Sequence, residues 1–130
     1  MTLIQNYSNL TGRILIAGIF LMAGVSKITA YSATQGYMEA MGVSPTLLPL
    51  VILTEVLGSL AIIAGYQTRI TAFMLAGFSL VSALLFHADF NDQMQSILFM
   101  KNIAIAGGFL FLVANGAGYV SFDNGMPKNI

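Results

Sequence analysis

The sequence predicts an all-α polytopic membrane protein, an antiparallel four-helix transmembrane bundle with a short helix in the first outer loop. Three observations predict it. Apolar residues make up 57% of the chain and charged residues 8%, with a mean hydropathy of +0.82. Soluble domains carry about 25% charged residues, and a fold of this size could not hide so much apolar surface behind so little polar cover. Four apolar runs are separable, and spanning a bilayer takes about 20 residues, roughly 17 to 25. Finally, the ionisable groups inside those runs share their helical faces with small residues, the pattern by which membrane helices pack.

The first span is read over 12–28. Its apolar run, Ile14 to Ser26, is short, and reaches spanning length only if Arg13 and Lys27 snorkel toward the interfaces on their long stems. No clean small-x-small cleavage site follows, so the segment is expected to remain as a span rather than leave as a signal peptide. The second span, 46–66, contains LLPLVILTEVLGSLAIIAG, in which Glu55 is the one charge. The third, 69–87, lies between Arg69 and His87, and the fourth, 97–115, carries Lys101. The whole chain, 1–130, therefore reads as a single four-span membrane domain.

The links are read in the same order. In the first loop, TQGYMEAMG has a helical ring of Tyr37, Met38 and Met41, with Thr34 placed to cap it and Gly42 to end it. Tyr31 and Tyr37 suit an interface, where a ring meets lipid and its hydroxyl meets water. Gln67 to Arg69 makes a tight hairpin, 87–96 is a short acidic loop with Asp89 and Asp92, and a tail follows Asn115. Short links favour antiparallel neighbours. With Arg13, Arg69 and Lys128 on one side and Glu39, Asp89 and Asp92 with Lys27 on the other, positive charge places both termini in the cytoplasm. On this reading Arg13 and Arg69 anchor the inner interface.

Helical spacing of three and four residues aligns Arg13, Ala17, Gly24 and Lys27 on the first span and Glu55, Gly58 and Gly65 on the second. It aligns Ala72, Ala76, Ser79, Ala83 and His87 on the third, and Lys101, Ala104, Gly108 and Asn115 on the fourth. The ionisable groups are thus expected to face one another. Lys27, Glu55, His87 and Lys101 converge in the outer half near Tyr37, Phe86 and Phe99. A charge at a helix centre costs roughly 2.5 to 3.5 kcal/mol, so Glu55 needs an inward partner, for which Lys101 and Lys27 are the candidates. Such a pair can fix helix register or can take part in chemistry, and both readings stay open.

Composition excludes several classes. Cysteine is absent, which removes disulfides, thiolate catalysis and cysteine-ligated iron–sulfur clusters. The single His rules out a bis-His haem within one copy, and zero net charge without a basic patch argues against nucleic acid. His87, Asp89 and Asp92 carry metal-ligating atoms in a spacing that matches no established site, so no metal is assigned. The eight Met are scattered along the chain, as apolar filler, rather than gathered as copper ligands, and Gly107–Gly108 lies inside an apolar run as a packing feature.

The segments GRILIAGIFLMAGVSKI at 12–28, YMEAMGVSPTLLPLVILTEVLGSLAI at 37–62, RITAFMLAGFSLVSALLFH at 69–87 and LFMKNIAIAGG at 98–108 resemble the DoxX family of small four-span bacterial membrane proteins. The resemblance covers about residues 11–123 and is nearest to the YqjF-like branch of inner-membrane proteins. It implies the bacterial inner membrane, and a quinone-linked role with quinone or quinol as the cofactor, since the family takes its name from subunits associated with quinol oxidase and thiosulfate–quinone oxidoreductase activity. Arg13, Lys27, Glu55, Arg69, His87, Lys101 and Asn102 match family positions and carry over as candidate pocket residues, with no catalytic role assigned to any.

The expected function is a redox-associated subunit that binds a quinone or similar aromatic head group in an outer-half polar pocket. If it is an enzyme component, it is a quinone-linked oxidoreductase subunit, and its expected partners are the bilayer, a redox partner protein and further copies of itself. The alternatives are a small-solute or proton permeation component and a non-catalytic scaffold of a membrane complex.

Overall fold

The structure is a computed structural model and describes residues 2–125. Five α-helices follow one another: α1 (Leu3–Thr29), α2 (Tyr31–Ala40), α3 (Leu48–Ala64), α4 (Thr68–Phe86) and α5 (Gln93–Asn115), with one-turn 3-10 helices at Pro45–Leu47 and Phe122–Asn124. Among the described residues there is no strand, and α1, α3 with its leading turn, α4 and α5 are long and apolar enough to cross a membrane. Lys128, expected on the inner side, lies outside the described residues.

Each helix starts and stops for local reasons. A capping box closes the start of α1, where Thr2 Oγ1 accepts from Gln5 N–H and the Gln5 side chain returns to Thr2 N–H. Pro45 and Pro49 occupy first-turn positions, where a missing N–H costs nothing. Asp92 caps α5 by accepting from Met94 N–H. Helix α2 begins at Tyr31, three residues before the expected cap. Thr34 is therefore inside the helix, and its hydroxyl donates back to Ala30 O instead of capping. Gly42, at φ 77°, ends α2 as expected.

The helices pack as two intimate antiparallel pairs, α1 with α3 and α4 with α5, joined along α3 and α4. Helices α1 and α5 touch sparingly. Gly24 lets α1 approach α3 closely, since a Cβ there would stand 2.6 Å from Val56 Cγ2 and 3.3 Å from Glu55 Cβ. Gly58 accepts Leu75 of α4 in the same manner, and Gly108 of α5 accepts Ile16 of α1. The core is Ala17, Phe20, Ile62, Ala72, Leu75, Ala76, Ala106 and Phe109. Phe20 stands at its centre, with ring centroids 6.2 Å from Phe78 and 5.5 Å from Phe109.

On α4 the buried stripe includes Ala72, Ala76, Ser79 and Ala83, four of the five residues the spacing aligned, and His87 at its end is half-buried. The stripe on α5 is rotated from the expected one. Ala106 and Phe109 are buried and Asn102 is half-buried, while Lys101, Ala104 and Asn115 are exposed. The physical reason is that α5 is apolar nearly all round, so small residues do not mark a unique face, and the large Phe109 takes the core position.

Candidate functional site

Glu55 projects from the middle of α3 into the bundle, 3% exposed. Its partner is Lys27, in the last turn of α1, with Nζ 2.8 Å from Oε1. Gly24 explains the meeting: one turn before Lys27 it brings α1 against the backbone of Val56 and the Cβ of Glu55. Among the described residues this is the only ion pair between side chains. At that distance the ammonium holds the carboxylate by charge and by a charge-assisted contact, and no other side chain among the described residues joins the pair. The Lys27 side chain keeps 29% of its surface exposed, so the pair reaches solvent or lipid through the ammonium.

Below this pair lies an aromatic cluster. Phe20 lies four residues before Gly24, about 6 Å down the axis, and with Phe78 and Phe109 fills the centre. Above it, α2 lies across the mouth: Met38 is buried, and the Tyr37 ring stacks on Phe86 with centroids 5.5 Å apart at 21°.

The other candidate residues fall elsewhere. Lys101 is exposed and makes no ion pair or hydrogen bond among the described residues, so of the two candidate partners it is Lys27 that meets Glu55. The rotation of α5 is the cause, since the face next to Lys101, carrying Asn102, is turned to α4. Asn102 Nδ2 donates to Ser79 O at 3.2 Å, tying α5 to α4 within the membrane. His87 Nδ1 and Gln95 Oε1 share a hydrogen bond at 2.8 Å across the α4–α5 link. Phe99 packs edge-on against Phe90, 5.0 Å between centroids, away from the Tyr37–Phe86 stack. Asp89 accepts from Asn91 N–H and Asp92 caps α5, so the acidic loop spends these carboxylates on its own turns.

A second polar centre lies at the opposite end, where the start of α1 and the tail meet. Arg13 was expected to anchor an interface, but it points inward and is 1% exposed. Its guanidinium donates to Ile62 O at 3.2 Å, to Ile63 O at 3.1 Å and to Val120 O. The first two are last-turn carbonyls of α3, at the negative end of its dipole; Ile62 O also accepts from Gly65 N–H at 3.1 Å, so the guanidinium uses its second lone pair. Gly65 follows at φ 73°, where a Cβ would strike both Arg13 and Ser121, so the position demands glycine on two counts. Arg69 is exposed, in the first turn of α4.

Asp123 is a residue the sequence reading did not single out. Helix α4 has no cap of its own, because Gln67 at the N-cap adopts φ 49° and its side chain makes no capping bond. The tail supplies one: Asp123 Oδ1 accepts from Gln67 N–H at 2.7 Å and Oδ2 from Thr68 N–H at 2.8 Å. Asp123 N–H in turn donates to Gly65 O. Partial burial pushes the Asp123 carboxyl up. The neighbouring Thr68 hydroxyl, the two N–H donors and the Arg13 charge outweigh this and hold it below the ordinary carboxylate value. The Thr68 hydroxyl itself lacks good hydrogen-bond geometry, so the backbone donors carry the cap. The legible signal was a carboxylate in an Asp-Asn-Gly turn, in a chain with an otherwise unpaired Arg13.

The chain is 48% identical to the inner membrane protein YqjF of Escherichia coli (strain K12) over 128 residues, 98% of either chain. It is 31% identical to the inner membrane protein YphA of the same strain over 121 residues, 88% of this chain and 86% of the relative. No solved structure matches. The DoxX family model matches residues 8–88, which takes in α1 to α4 with Lys27 and Glu55 and stops before α5. On the family match and the near full-length relatives together, the chain belongs to the DoxX family.

Proposed function

We propose that this four-span unit works in the bacterial inner membrane as a redox-associated subunit that binds the head group of a quinone, or of a similar aromatic carbonyl compound, at the Lys27–Glu55 pair. One observation carries the reading. A carboxylate 3% exposed is paired at 2.8 Å with a lysine still 29% exposed, and Lys27 makes no other polar contact among the described residues. A quinone carbonyl would accept from the remaining N–H groups of Lys27, and after reduction the quinol hydroxyl would donate to the Glu55 carboxylate. When bound, a quinone supplies the electron-accepting ring; the chain's own residues would orient its oxygen and hold a proton at Glu55 Oε1. The electrons would come from a partner protein. The aromatic floor of Phe20, Phe78 and Phe109 supports a one-sided site over a permeation route. With both termini cytoplasmic, the pair lies in the outer half of the membrane.

The test is titration of the lipid-embedded protein with a short-chain ubiquinone analogue. We expect saturable binding that falls at least tenfold in the Lys27→Met, Glu55→Gln double variant and is unchanged in Lys101→Met. Equal binding by the wild type and the double variant removes the assigned site.

A further inference from the structure

A cavity of about 590 Å³ opens at the opposite end from the Lys27–Glu55 pair, between the α3–α4 hairpin and the tail. Gln67, Arg69, Ile70, Asn115, Gly116 and Asn124 line it, together with Thr68 and Asp123. Its charges are not balanced. Both oxygens of Asp123 are committed to the N–H groups of Gln67 and Thr68, and the buried Arg13 offsets its charge. Arg69 has no carboxylate within ion-pair distance among the described residues and is exposed. Its guanidinium rests against Gly116, with Nε 3.1 Å from where a Cβ would stand at that φ 76° position.

The walls continue as an apolar flank. Ile70 is 62% exposed, and Phe73, one turn further along α4, is 65% exposed. On α5, Phe111 lies one turn before Asn115, which donates to its carbonyl, and is 73% exposed. Helices α4 and α5 are neighbours, so these side chains descend from the cavity along the membrane-facing surface of one helix pair. A fork-shaped cation with amide side chains beside it stands above aromatic surface facing the acyl chains.

We propose that this cavity binds the phosphate-bearing head group of an anionic membrane lipid. Arg69 pairs with the phosphate, which its planar fork matches in shape. The Gln67 amide, and the second N–H of the Asn115 and Asn124 amides whose first is given to Phe111 O and Tyr119 O, meet the remaining oxygens. The acyl chains lie on Ile70, Phe73 and Phe111. This site does not depend on the proposed quinone site, from which the aromatic floor separates it.

The test is native mass spectrometry of the full chain released from nanodiscs holding equal phosphatidylglycerol and phosphatidylcholine. Retained phosphatidylglycerol should dominate. It should fall roughly tenfold in Arg69→Gln, the size of one charge-assisted contact, and only partly in Arg69→Lys. Lys101→Gln should leave it unchanged. Phe111→Ala, which spares every polar group, should also lower retention and guards against loss of fold in the Arg69 variants. Stabilisation of the micelle-held chain by inorganic phosphate alone, absent in Arg69→Gln, would keep the phosphate chemistry and assign its source to water. Equal losses in Arg69→Gln and Lys101→Gln, or none in either, would overturn the site.

Discussion

Asp123 and Arg13 show how much a single polar residue can organise in a chain with so few. The tail, 116–125, returns to the bundle through Arg13 donating to Val120 O and Asp123 capping α4. Because folding holds the Asp123 carboxyl below its ordinary value, the folded state favours the ionised form. The cap's contribution is therefore fully present above the ordinary carboxylate value, about 3.9, and is lost as pH falls through the lower folded value. Hydrogen exchange, corrected for intrinsic rates, should show the amides of Gln67, Thr68 and Asp123 protected at pH 6 and losing protection progressively below about pH 4. Asp123→Asn should weaken that protection already at pH 6. Protection that ignores both changes would mean the tail is held by other contacts. Glu55 is legible in the sequence because one charge interrupts nineteen residues, and Lys27 is legible as a candidate partner. Asp123 is not, because a carboxylate in a polar tail looks like any solvated one until α4 is seen to lack its own cap.

Among the elements, α1 and α3 set the position of the ion pair, and Gly24 sets the distance between them. A Cβ at Gly24 would crowd Val56, whereas one at Gly18 meets nothing within 4 Å. Gly24→Val should therefore lower the thermal midpoint of the micelle-held protein by several degrees, in line with an overpacking cost of about 1 to 3 kcal/mol, while Gly18→Val changes it little. Equal effects would mean that α1 and α3 are not in close contact at this level. Helix existence, order and approximate ends were legible because four apolar runs separated by polar links allow few other arrangements. Faces were legible on α4, where alanines and a serine recur among bulky residues. They were not on α5, where FMKNIAIAGGFLFL offers small residues on several sides and lipid accepts any of the others. That ambiguity explains why Lys101 stands exposed, outside the site predicted for it.

At the scale of the whole molecule, the charges divide into two centres with an aromatic layer between. One end holds Arg13, Arg69 and Asp123, the other Lys27 and Glu55, and the rings of Phe20, Phe78 and Phe109 pack between them. The arrangement keeps the cost of burying charge low, since the two fully enclosed groups, Arg13 and Glu55, each have a specific partner. The family resemblance carried the class of protein, and the residues carried the inward charge; neither carried the ligand, because one ion pair is compatible with register-fixing and with chemistry alike.

The central claim is that Lys27 and Glu55 form one inward, mutually dependent charge pair. Its most direct test is a double-mutant cycle of Lys27→Met and Glu55→Gln, read by reversible unfolding in mixed micelles. Lys27→Met alone should cost about 3 to 5 kcal/mol by stranding the carboxylate, and adding Glu55→Gln should recover much of that, leaving a coupling of 1.5 kcal/mol or more, roughly, between the two. Losses that simply add, within about 0.5 kcal/mol, would show that the two side chains do not meet.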